Sequence, residues 1–389
     1  MSTLLKNKKV AIIGAGPGGL TLARLLQLKG VDVKVYERDE NRHVRVQGAT
    51  LDLHTDSGLK ALEAADLMDA FKATYRPGND RYRIVDKNAV IFHDDHEKDS
   101  TGDFGDEWFR PEIDRGPLRD MLIDSLKPDT VVWDSHIVSV ENIGENWEII
   151  FENGQTAKAD VVIGADGANS KIRPFLTPIK PVYSGVTYLV CNIDDAEKNA
   201  PKVYDLLKGG KIAALDESKT IFASAKGDGT MDIYIGFKTD LNWAKESGID
   251  FKNSTEVLKW FKKEYANWDS IWLEIFDDEK TDFIPRPLFS MPLDQYWESQ
   301  PNITLLGDAA HLLPPNGEGV NSAMLDALNL SGILTNGNFT TVEAAIAFYE
   351  KQMFARFVEE GKETGEMMDW MYAPEGLQVM VNMLNGIPT

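Results

Sequence analysis

A glycine-rich turn between two apolar segments restricts the possible folds of this chain more than any other feature. Lys9 to Ile13 predicts a short strand, Gly14 to Gly19 has the spacing GxGxxG, and Leu20 to Leu28 carries apolar residues at helical spacing. Gly30 ends this helix, and Val31 to Tyr36 predicts a second strand. A strand, a glycine turn, a helix and a parallel strand form a βαβ unit. We therefore predict an α/β fold with a Rossmann-like domain.

The glycines of this turn have different steric tasks. Gly14 permits the tight turn, Gly16 lets the backbone approach a pyrophosphate, and Gly19 allows close packing of the helix. The positive end of the helix stabilises phosphate charge. Glu37, at the end of the second strand, is placed to bind ribose hydroxyl groups. Pro17 and Arg38 complete the predicted nucleotide site, Arg38 by stacking on the adenine. The turn alone does not distinguish FAD from NAD.

The rest of the pattern divides between the α/β domain and a second sheet. Predicted helices cover Gly58 to Lys72, Arg115 to Leu126, Thr255 to Glu264 and Trp268 to Asp277, and helices fill the chain after its last predicted strand. Predicted strands cover Arg81 to Phe92, Val131 to Val140, Trp147 to Glu152, Thr156 to Lys158, Asp160 to Ile163 and Ile303 to Leu306. Val186 to Phe237 is strand-like with glycine-containing turns, so we place a separate substrate-binding sheet there.

Composition disfavours several classes of function. With 62 acidic and 41 basic residues, the net charge of -21 opposes binding to nucleic acid and to anionic membranes. The single cysteine, Cys191, excludes an internal disulfide and a multi-thiolate metal site, and we expect it to be a small buried side chain. The sequence has no apolar run long enough to cross a membrane, and the polar N-terminus differs from a signal peptide. We expect a cytoplasmic monomer.

Two further motifs point to the identity of the nucleotide. Asp160 to Ser170 reads DVVIGADGANS and precedes Lys171-Ile172-Arg173, while Leu305 to His311 reads LLGDAAH and precedes Pro314-Pro315 and Gly319-Val320-Asn321. With the glycine turn, these segments resemble the three sequence motifs of the class A flavoprotein monooxygenases, the p-hydroxybenzoate hydroxylase family. They occur in the family's order across nearly the whole chain. Within this family, Gly48 to Leu53, Pro111 to Arg119 and Tyr349 to Met353 look most like the tetracycline-inactivating monooxygenases.

The resemblance implies a particular domain arrangement. An FAD-binding Rossmann-like domain of the glutathione reductase type is interrupted by a mixed-sheet substrate domain and followed by a C-terminal helix. We assign 1–75, 105–180 and 285–350 to the FAD-binding domain and 76–104 and 181–284 to the substrate-binding domain. Residues 351–389 are assigned to a helix that packs on both domains.

The resemblance also implies roles for individual residues. Asp308 would bind the ribityl chain of FAD, and the backbone at Gly319, Val320 and Asn321 would lie beside the flavin ring. There, the N-terminus of a helix beginning after Gly319 stabilises negative charge on the reduced ring. The other positions that contact FAD or admit NADPH in the relatives are Arg45, Asp52, Arg115, Arg119 and Asp166.

Structural alternatives stay open for several of these side chains. Asp166 has an alternative role as the cap of the next helix. Asp308 and Asp326 have alternative roles as ordinary helix-terminal acids, and His311 as a hydrogen-bonded packing residue. Any one of the arginines has an alternative role in a surface ion pair, which contributes little to stability.

The implied activity is hydroxylation of a small aromatic or polycyclic substrate. NADPH, bound transiently, would reduce FAD, dioxygen would form a flavin C4a-hydroperoxide, and an electron-rich substrate carbon would attack its distal oxygen. We expect NADPH over NADH because several arginines are available for its extra phosphate. The protein positions the substrate, excludes water and lets the flavin move, so we assign no catalytic acid or base and no metal. A flavin oxidase, dehydrogenase or reductase without oxygen insertion, and a flavin protein that sequesters a ligand, are the alternatives.

The substrate contacts are predicted on the second sheet and in the loop and helix that follow Asp308. They are Val190, Lys211, Phe222, Ser224, Asp232, Pro315 and Met371. Of these residues, only Phe222 matches the tetracycline-inactivating enzymes. Lys211 stands where those enzymes have an arginine, Asp232 stands where they have a histidine, and the loop at Pro315 is one residue shorter. Met371 forms either a pocket wall or a helix contact at the domain interface. Tetracycline-type antibiotics are thus a substrate class to test, and these differences argue against them as natural substrates.

Overall fold

The computed structural model describes residues 4–44, 50–96, 103–104, 106, 109–278 and 281–387. Its strands are β1 (Lys9–Ile13), β2 (Asp32–Tyr36), β3 (Leu51–Asp52), β4 (Tyr82–Val85), β5 (Ile91–Asp94), β6 (Glu112–Ile113), β7 (Val131–Val132), β8 (Ile137–Asn142), β9 (Trp147–Phe151), β10 (Thr156–Ala159), β11 (Val161–Gly164), β12 (Val182–Ile193), β13 (Lys211–Asp216), β14 (Lys219–Ala225), β15 (Met231–Lys238), β16 (Ile284–Ser290) and β17 (Ile303–Leu305). Its helices are α1 (Pro17–Leu28), α2 (Gly58–Ala64), α3 (Met68–Lys72), α4 (Arg115–Asp124), α5 (Ala196–Asn199), α6 (Pro201–Leu207), α7 (Trp243–Glu246), α8 (Ser254–Glu264), α9 (Asp308–His311), α10 (Gly319–Thr335), α11 (Val342–Met371) and α12 (Gly376–Leu384), with 3₁₀ turns at Arg173–Phe175 and Ser270–Phe276.

A parallel sheet in the order β17-β11-β1-β2-β7 forms the centre of the first half. Ile12 on β1 pairs with Ile163 on β11 and with Val35 on β2, all in parallel register. The residues of β1 after its first are buried, as expected for a strand covered on both faces. Helices α1 and α10 pack together beside this sheet. The predicted α/β fold is confirmed.

A second, mixed sheet has the order β16-β12-β15-β14-β13-β4-β5. Its pairs are antiparallel except that β13 and β4 run parallel. Both faces of this sheet are covered by side chains, because successive residues of a strand point to opposite sides of the sheet. One face packs on α6, α8 and the turn Ser270–Phe276, and the other packs on α12 and the end of α11. We call the second of these the inner face.

Helix α11 joins the two halves. Tyr349 and Met353, near its beginning, are buried in the core of the parallel sheet. Met368 and Met371, near its end, are buried on the inner face of the mixed sheet. One continuous helix therefore contributes to both hydrophobic cores.

Several predicted elements are wrong in detail. The helix predicted over Gly58 to Lys72 is two helices, because Asp66 has a φ of 58° and breaks the helical path. The strand predicted over Val131 to Val140 is divided at Asp134, with a φ of 52°, into β7 of the parallel sheet and β8 of an antiparallel hairpin. Helices α5 and α6 also interrupt the predicted strand region from Val186 to Phe237.

Two predictions from composition can be compared with the structure. Cys191 is buried, as predicted for a small apolar side chain. Within the described residues, no helix has both the length and the apolar character that a bilayer crossing requires.

Candidate functional site

The glycine turn connects β1 to α1 with the geometry that its spacing predicts. Gly14 has a φ of 110°, and a Cβ at this position would lie 2.4 Å from the carbonyl oxygen of Ala165. A Cβ on Gly19 would lie 2.2 Å from the carbonyl oxygen of Gly14. A Cβ on Gly16, by contrast, has nothing within 4 Å among the described residues. Pro17 is the first residue of α1, whose N-terminus has no side-chain cap. The turn thus presents open backbone at the positive end of a helix.

Glu37 is buried beside this turn. Its Oε2 accepts a hydrogen bond from the backbone N–H of Ala15 at 2.7 Å, and its Oε1 accepts one from the backbone N–H of Asp39 at 3.1 Å. Arg38 is exposed at the end of β2. The structure therefore brings the predicted acid to the glycine turn and leaves Arg38 in contact with solvent.

Arg119, on α4, also contacts this turn, and its Nη2 lies 3.8 Å from Glu37 Oε2. Its Nε donates to the carbonyl oxygen of Ala15 at 3.1 Å, and its Nη2 donates to Asp39 Oδ2 at 3.0 Å. The guanidinium carbon lies 5.4 Å from the centre of the Trp133 ring. Its Nη1 is buried and has no hydrogen-bond partner in the described part of the chain. Arg119 is therefore not a surface ion pair. Arg45 lies outside the described residues.

Asp166 and Arg173, from the second motif, follow β11 in the chain. Asp166 Oδ2 accepts from the backbone N–H of Lys171 at 2.6 Å, but the next helical segment, Arg173–Phe175, has Ile172 at its N-cap and no side-chain cap, so the predicted capping role is not observed. Its Oδ1 is buried without a partner among the residues described, and burial raises the pKa of this carboxyl. Arg173 was not predicted as a site residue. It donates to the carbonyl oxygens of Asp308 and Ala309, each at 2.7 Å, and so links the second motif to the third.

The two acids of the third motif have different environments. Asp308 is the first residue of α9, and its side chain is exposed although the surrounding protein raises its pKa. Asp326 lies inside α10, so its interpretation as a helix-terminal acid is wrong. It is buried and accepts from the Gly307 N–H at 2.9 Å and from His311 Nε2 at 2.6 Å. His311 is thus a hydrogen-bonded packing residue.

Helix α10 begins at Gly319, as predicted, and Glu318 at its N-cap makes no side-chain cap. Val320 is half-buried in the first turn. The Asn321 side chain is fully buried, where Oδ1 accepts from the His54 N–H at 2.9 Å and Nδ2 donates to the Asp52 carbonyl at 3.0 Å. Asn321 therefore fixes the helix to the loop after β3.

A charged chain lies beside the start of α10. His54 Nε2 lies 2.9 Å from Asp52 Oδ2, and His54 Nδ1 lies 3.2 Å from Glu318 Oε2. Burial alone would lower the pKa of His54, but the hydrogen bonds to both carboxylates raise it to about 9. Burial would raise the pKa of Asp52, and His54 and Lys211 lower it. His54 was missed by sequence reasoning, although the spacing Asp52-x-His54 places both side chains on one side of an extended segment.

The predicted substrate residues of the mixed sheet share its inner face. Cross-strand pairing aligns a polar row, Asn192, Asp232, Ser224, Lys211 and Tyr82. The adjacent row is mostly apolar and consists of Val190, Tyr234, Phe222, Ala213 and Ile84. Met371 is buried against this second row, and Pro315 is exposed in the loop before α10.

Arg115, the other predicted cofactor residue of α4, is half-buried. It begins α4, and burial lowers its pKa. The groups that act on its charge are Tyr234, Asp308, Arg286 and Asp232, which come from both halves of the molecule. Pro315 lies on a loop held by α11, because Asn316 Nδ2 donates to Glu360 Oε1 at 3.1 Å and to Thr364 Oγ1 at 2.8 Å.

A family described as "FAD binding domain" matches residues 7–100 and 236–352, more than half of the chain. The chain belongs to this FAD-binding family. The resemblance inferred from the three motifs is confirmed, and so is FAD as the nucleotide. Among relatives, Monooxygenase asqM of Emericella nidulans is 28% identical over 90% of this chain and 92% of its own length.

Solved structures share the fold of this FAD-binding protein. HpxO of Klebsiella pneumoniae, solved with FAD and uric acid, has a TM-score of 0.76 at 20% identity, over 98% of this chain and 94% of HpxO. Tetracycline destructase Tet(51) has a TM-score of 0.69 at 20% identity, over 98% of this chain and 99% of its own. At these identities the two structures establish the fold alone.

The residues present fit FAD. Gly16 leaves room for a phosphate group, and Arg119 Nη1 offers a buried N–H donor beside it. Asp166 Oδ1 offers a buried acceptor after β11, the strand that pairs with β1. Buried polar atoms without partners are uncommon in folded proteins, so their presence indicates that a polar ligand binds here. The FAD-binding family and the geometry therefore agree on the cofactor.

Proposed function

We propose that this chain is a monooxygenase that uses FAD, NADPH and dioxygen to hydroxylate a small aromatic or polycyclic substrate. The observation that carries the proposal is the contact between the inner face of the mixed sheet and the part of the chain that carries β3 and β6. Lys211 forms an ion pair with Glu112, and Ser224 Oγ lies 3.2 Å from Thr50 Oγ1, so the aromatic row beside Ser224 lies next to the FAD-binding part of the chain. An aromatic surface beside a flavin site is suited to holding a flat substrate for oxygenation.

The residues that would hold FAD lie after β1 and β2 and on α4 and α9. The Gly16 backbone and Arg119 would bind the pyrophosphate, Glu37 the ribose, and Asp308 the ribityl chain. The first turn of α10 would stabilise negative charge on the ring. When bound, FAD supplies electron transfer and oxygen activation, while the protein supplies binding and orientation.

The inner face would position the substrate and exclude water. Phe222 and Tyr234 are half-buried and offer aromatic surface, and Val190 lies beside them. Aromatic side chains orient flat ligands by offset stacking or edge contacts. Exclusion of water protects the activated oxygen from unproductive decay. We place substrate selection on these residues, with Met371 as the adjoining wall.

The experiment is NADPH consumption by the purified, FAD-loaded protein with a tetracycline, 1-naphthol or no substrate, followed by the mass of the product. Tetracycline tests the fold likeness to Tet(51), and 1-naphthol tests the wider aromatic class. A product containing one oxygen atom from isotope-labelled dioxygen supports the proposal. Turnover that oxidises the substrate without incorporating labelled oxygen would replace it with an oxidase or dehydrogenase. NADH in place of NADPH tests the choice of reductant.

A further inference from the structure

The polar row of the inner face has two ends with different partners. At one end, Lys211 forms an ion pair with Glu112, and Ser224 Oγ lies 3.2 Å from Thr50 Oγ1. Glu112 and Thr50 belong to the FAD-binding half, so this end of the row is closed by contacts between the two halves. The Lys211 and Ser224 side chains therefore already have protein partners.

The other end keeps two acceptor atoms without partners. Asp232 is 4% exposed, and its Oδ1 lies 3.6 Å from Lys226 Nζ. Its Oδ2 is buried and has no hydrogen-bond partner among the residues that the structure describes. The cross-strand neighbour Asn192 uses its Nδ2 to donate to Asp194 at 3.0 Å, while its Oδ1 is likewise buried and unpartnered within the described chain.

Two such acceptors constrain the ligand that would satisfy them. A buried acceptor without a donor is costly, so each oxygen favours a group that brings an N–H or O–H. Cross-strand side chains begin about 5 Å apart, which allows one ligand group to reach both. A hydroxyl group has one hydrogen and satisfies one acceptor, whereas an amino group has two.

We infer that Asp232 and Asn192 form a specificity site for an amino group on the aromatic ring of the substrate. The inference rests on the proposed function and names the class of substrate that it uses. The amino group donates one hydrogen bond to Asp232 Oδ2 and one to Asn192 Oδ1. The ring then lies along the neighbouring aromatic row, which contains Phe222 and Tyr234.

The charges nearby favour a neutral amino group over a cationic one. Lys226 already faces the other oxygen of Asp232, with its Nζ 3.6 Å from Oδ1. Burial raises the pKa of Asp232 to about 6, with Lys226 opposing the shift. Ionisation of the buried Asp232 carboxyl is unfavourable. A neutral hydrogen-bond donor therefore suits this carboxyl better than a second cation, which would compete with Lys226.

The test measures binding to the oxidised, FAD-loaded protein without NADPH, using the flavin absorbance change on titration. The probes are 5-amino-1-naphthol and 1-naphthol, which differ by one amino group. We expect the wild type to prefer the amino compound about tenfold, the factor that about 1.4 kcal/mol represents. In Asp232→Leu the two naphthols should bind equally, because only the amino compound forms a hydrogen bond with Asp232. Asp228→Asn, in the exposed turn before β15, is the matched control and keeps the preference.

A purely structural Asp232 predicts a different pattern. If Asp232 serves only to pair with Lys226, then Lys226→Met would abolish the preference as fully as Asp232→Leu does, and this result would overturn the inference. Equal binding of the two naphthols by the wild type, or binding of neither, would also overturn it. A preference that persists in Asn192→Leu would remove Asn192 from the site. Oxygen insertion is read separately, so its absence would refute the proposed function without changing the binding result.

Discussion

The Nε of Arg119 donates a hydrogen bond to the carbonyl oxygen of Ala15 at 3.1 Å, which places a buried guanidinium against the glycine turn. We expect Arg119→Met to weaken FAD binding roughly tenfold to a hundredfold, because it removes a charge-assisted donor. Arg119→Lys should recover only part of the loss, because lysine lacks the forked geometry. Fluorescence quenching of FAD titrated with apoprotein measures the effect. Arg42→Met, which removes a surface pair with Asp120, is the control, and equal affinities in both methionine variants would contradict the prediction.

Two glycines of the turn should respond differently to alanine. Gly19→Ala would place a Cβ 2.2 Å from the Gly14 carbonyl oxygen, so the protein should lose roughly 2 kcal/mol or more of unfolding free energy. Gly16→Ala meets nothing in the structure, so its stability without FAD should be unchanged while FAD affinity falls. Urea unfolding of the apoprotein and FAD titration separate the two effects. A Gly16→Ala protein with normal FAD affinity would show that the ligand does not approach this backbone.

The paired His54 predicts a pH dependence of stability. Its pKa in the folded protein, about 9, lies above the ordinary value of 6.5. The stabilisation by its charge is therefore fully present below about pH 6.5 and is lost as the pH rises through about 9. The loss should be about 1 to 3 kcal/mol, with the lower figure favoured because Glu318 is partly exposed.

Comparison with His54→Asn isolates this contribution from other groups that titrate at high pH. Unfolding free energies of both proteins are measured in urea across that window. The difference between them should shrink as the pH rises. A difference that stays constant would mean that His54 is not the charged group between Asp52 and Glu318.

The ion pair of Lys211 and Glu112 joins the two halves of the molecule. Glu112 is buried, and burial raises the pKa of its carboxyl while Lys211 opposes the rise. Lys211→Met should destabilise the protein by about 3 kcal/mol because it leaves a buried carboxyl unpaired. The double variant Lys211→Met with Glu112→Leu should recover much of this loss. Chemical denaturation of the four proteins in this cycle measures the coupling, and simple additivity would contradict it.

The sequence predicts the cofactor site better than the substrate site for a physical reason. Gly14 and Gly19 are required by local backbone contacts that recur wherever a dinucleotide meets a strand and helix, so their spacing is visible in the sequence. His54 and Arg173 depend on partners far along the chain, Glu318 and Asp308, and no local pattern reports those contacts. The break at Asp66 was missed because apolar periodicity continues across it.

The predicted substrate residues show the same limit. Register alone places Lys211, Ser224 and Asp232 in one row, which alternation along each strand makes predictable. Which of them is occupied by protein depends on Thr50 and Glu112, which reach the row from the other half. Those contacts arise only when the two halves are packed together.

The regular rise and twist of helix α11 fix both the distance between its two ends and their relative orientation. Its 30 residues span about 45 Å at about 1.5 Å per residue. Each residue also turns the helix by about 100°, so the angle between the faces that carry Tyr349 and Met368 is set by the number of residues between them. One residue inserted between these positions would leave Tyr349 in its core and rotate Met368 away from the sheet. The number of residues in this single helix therefore sets the spacing and the relative orientation of the two hydrophobic cores.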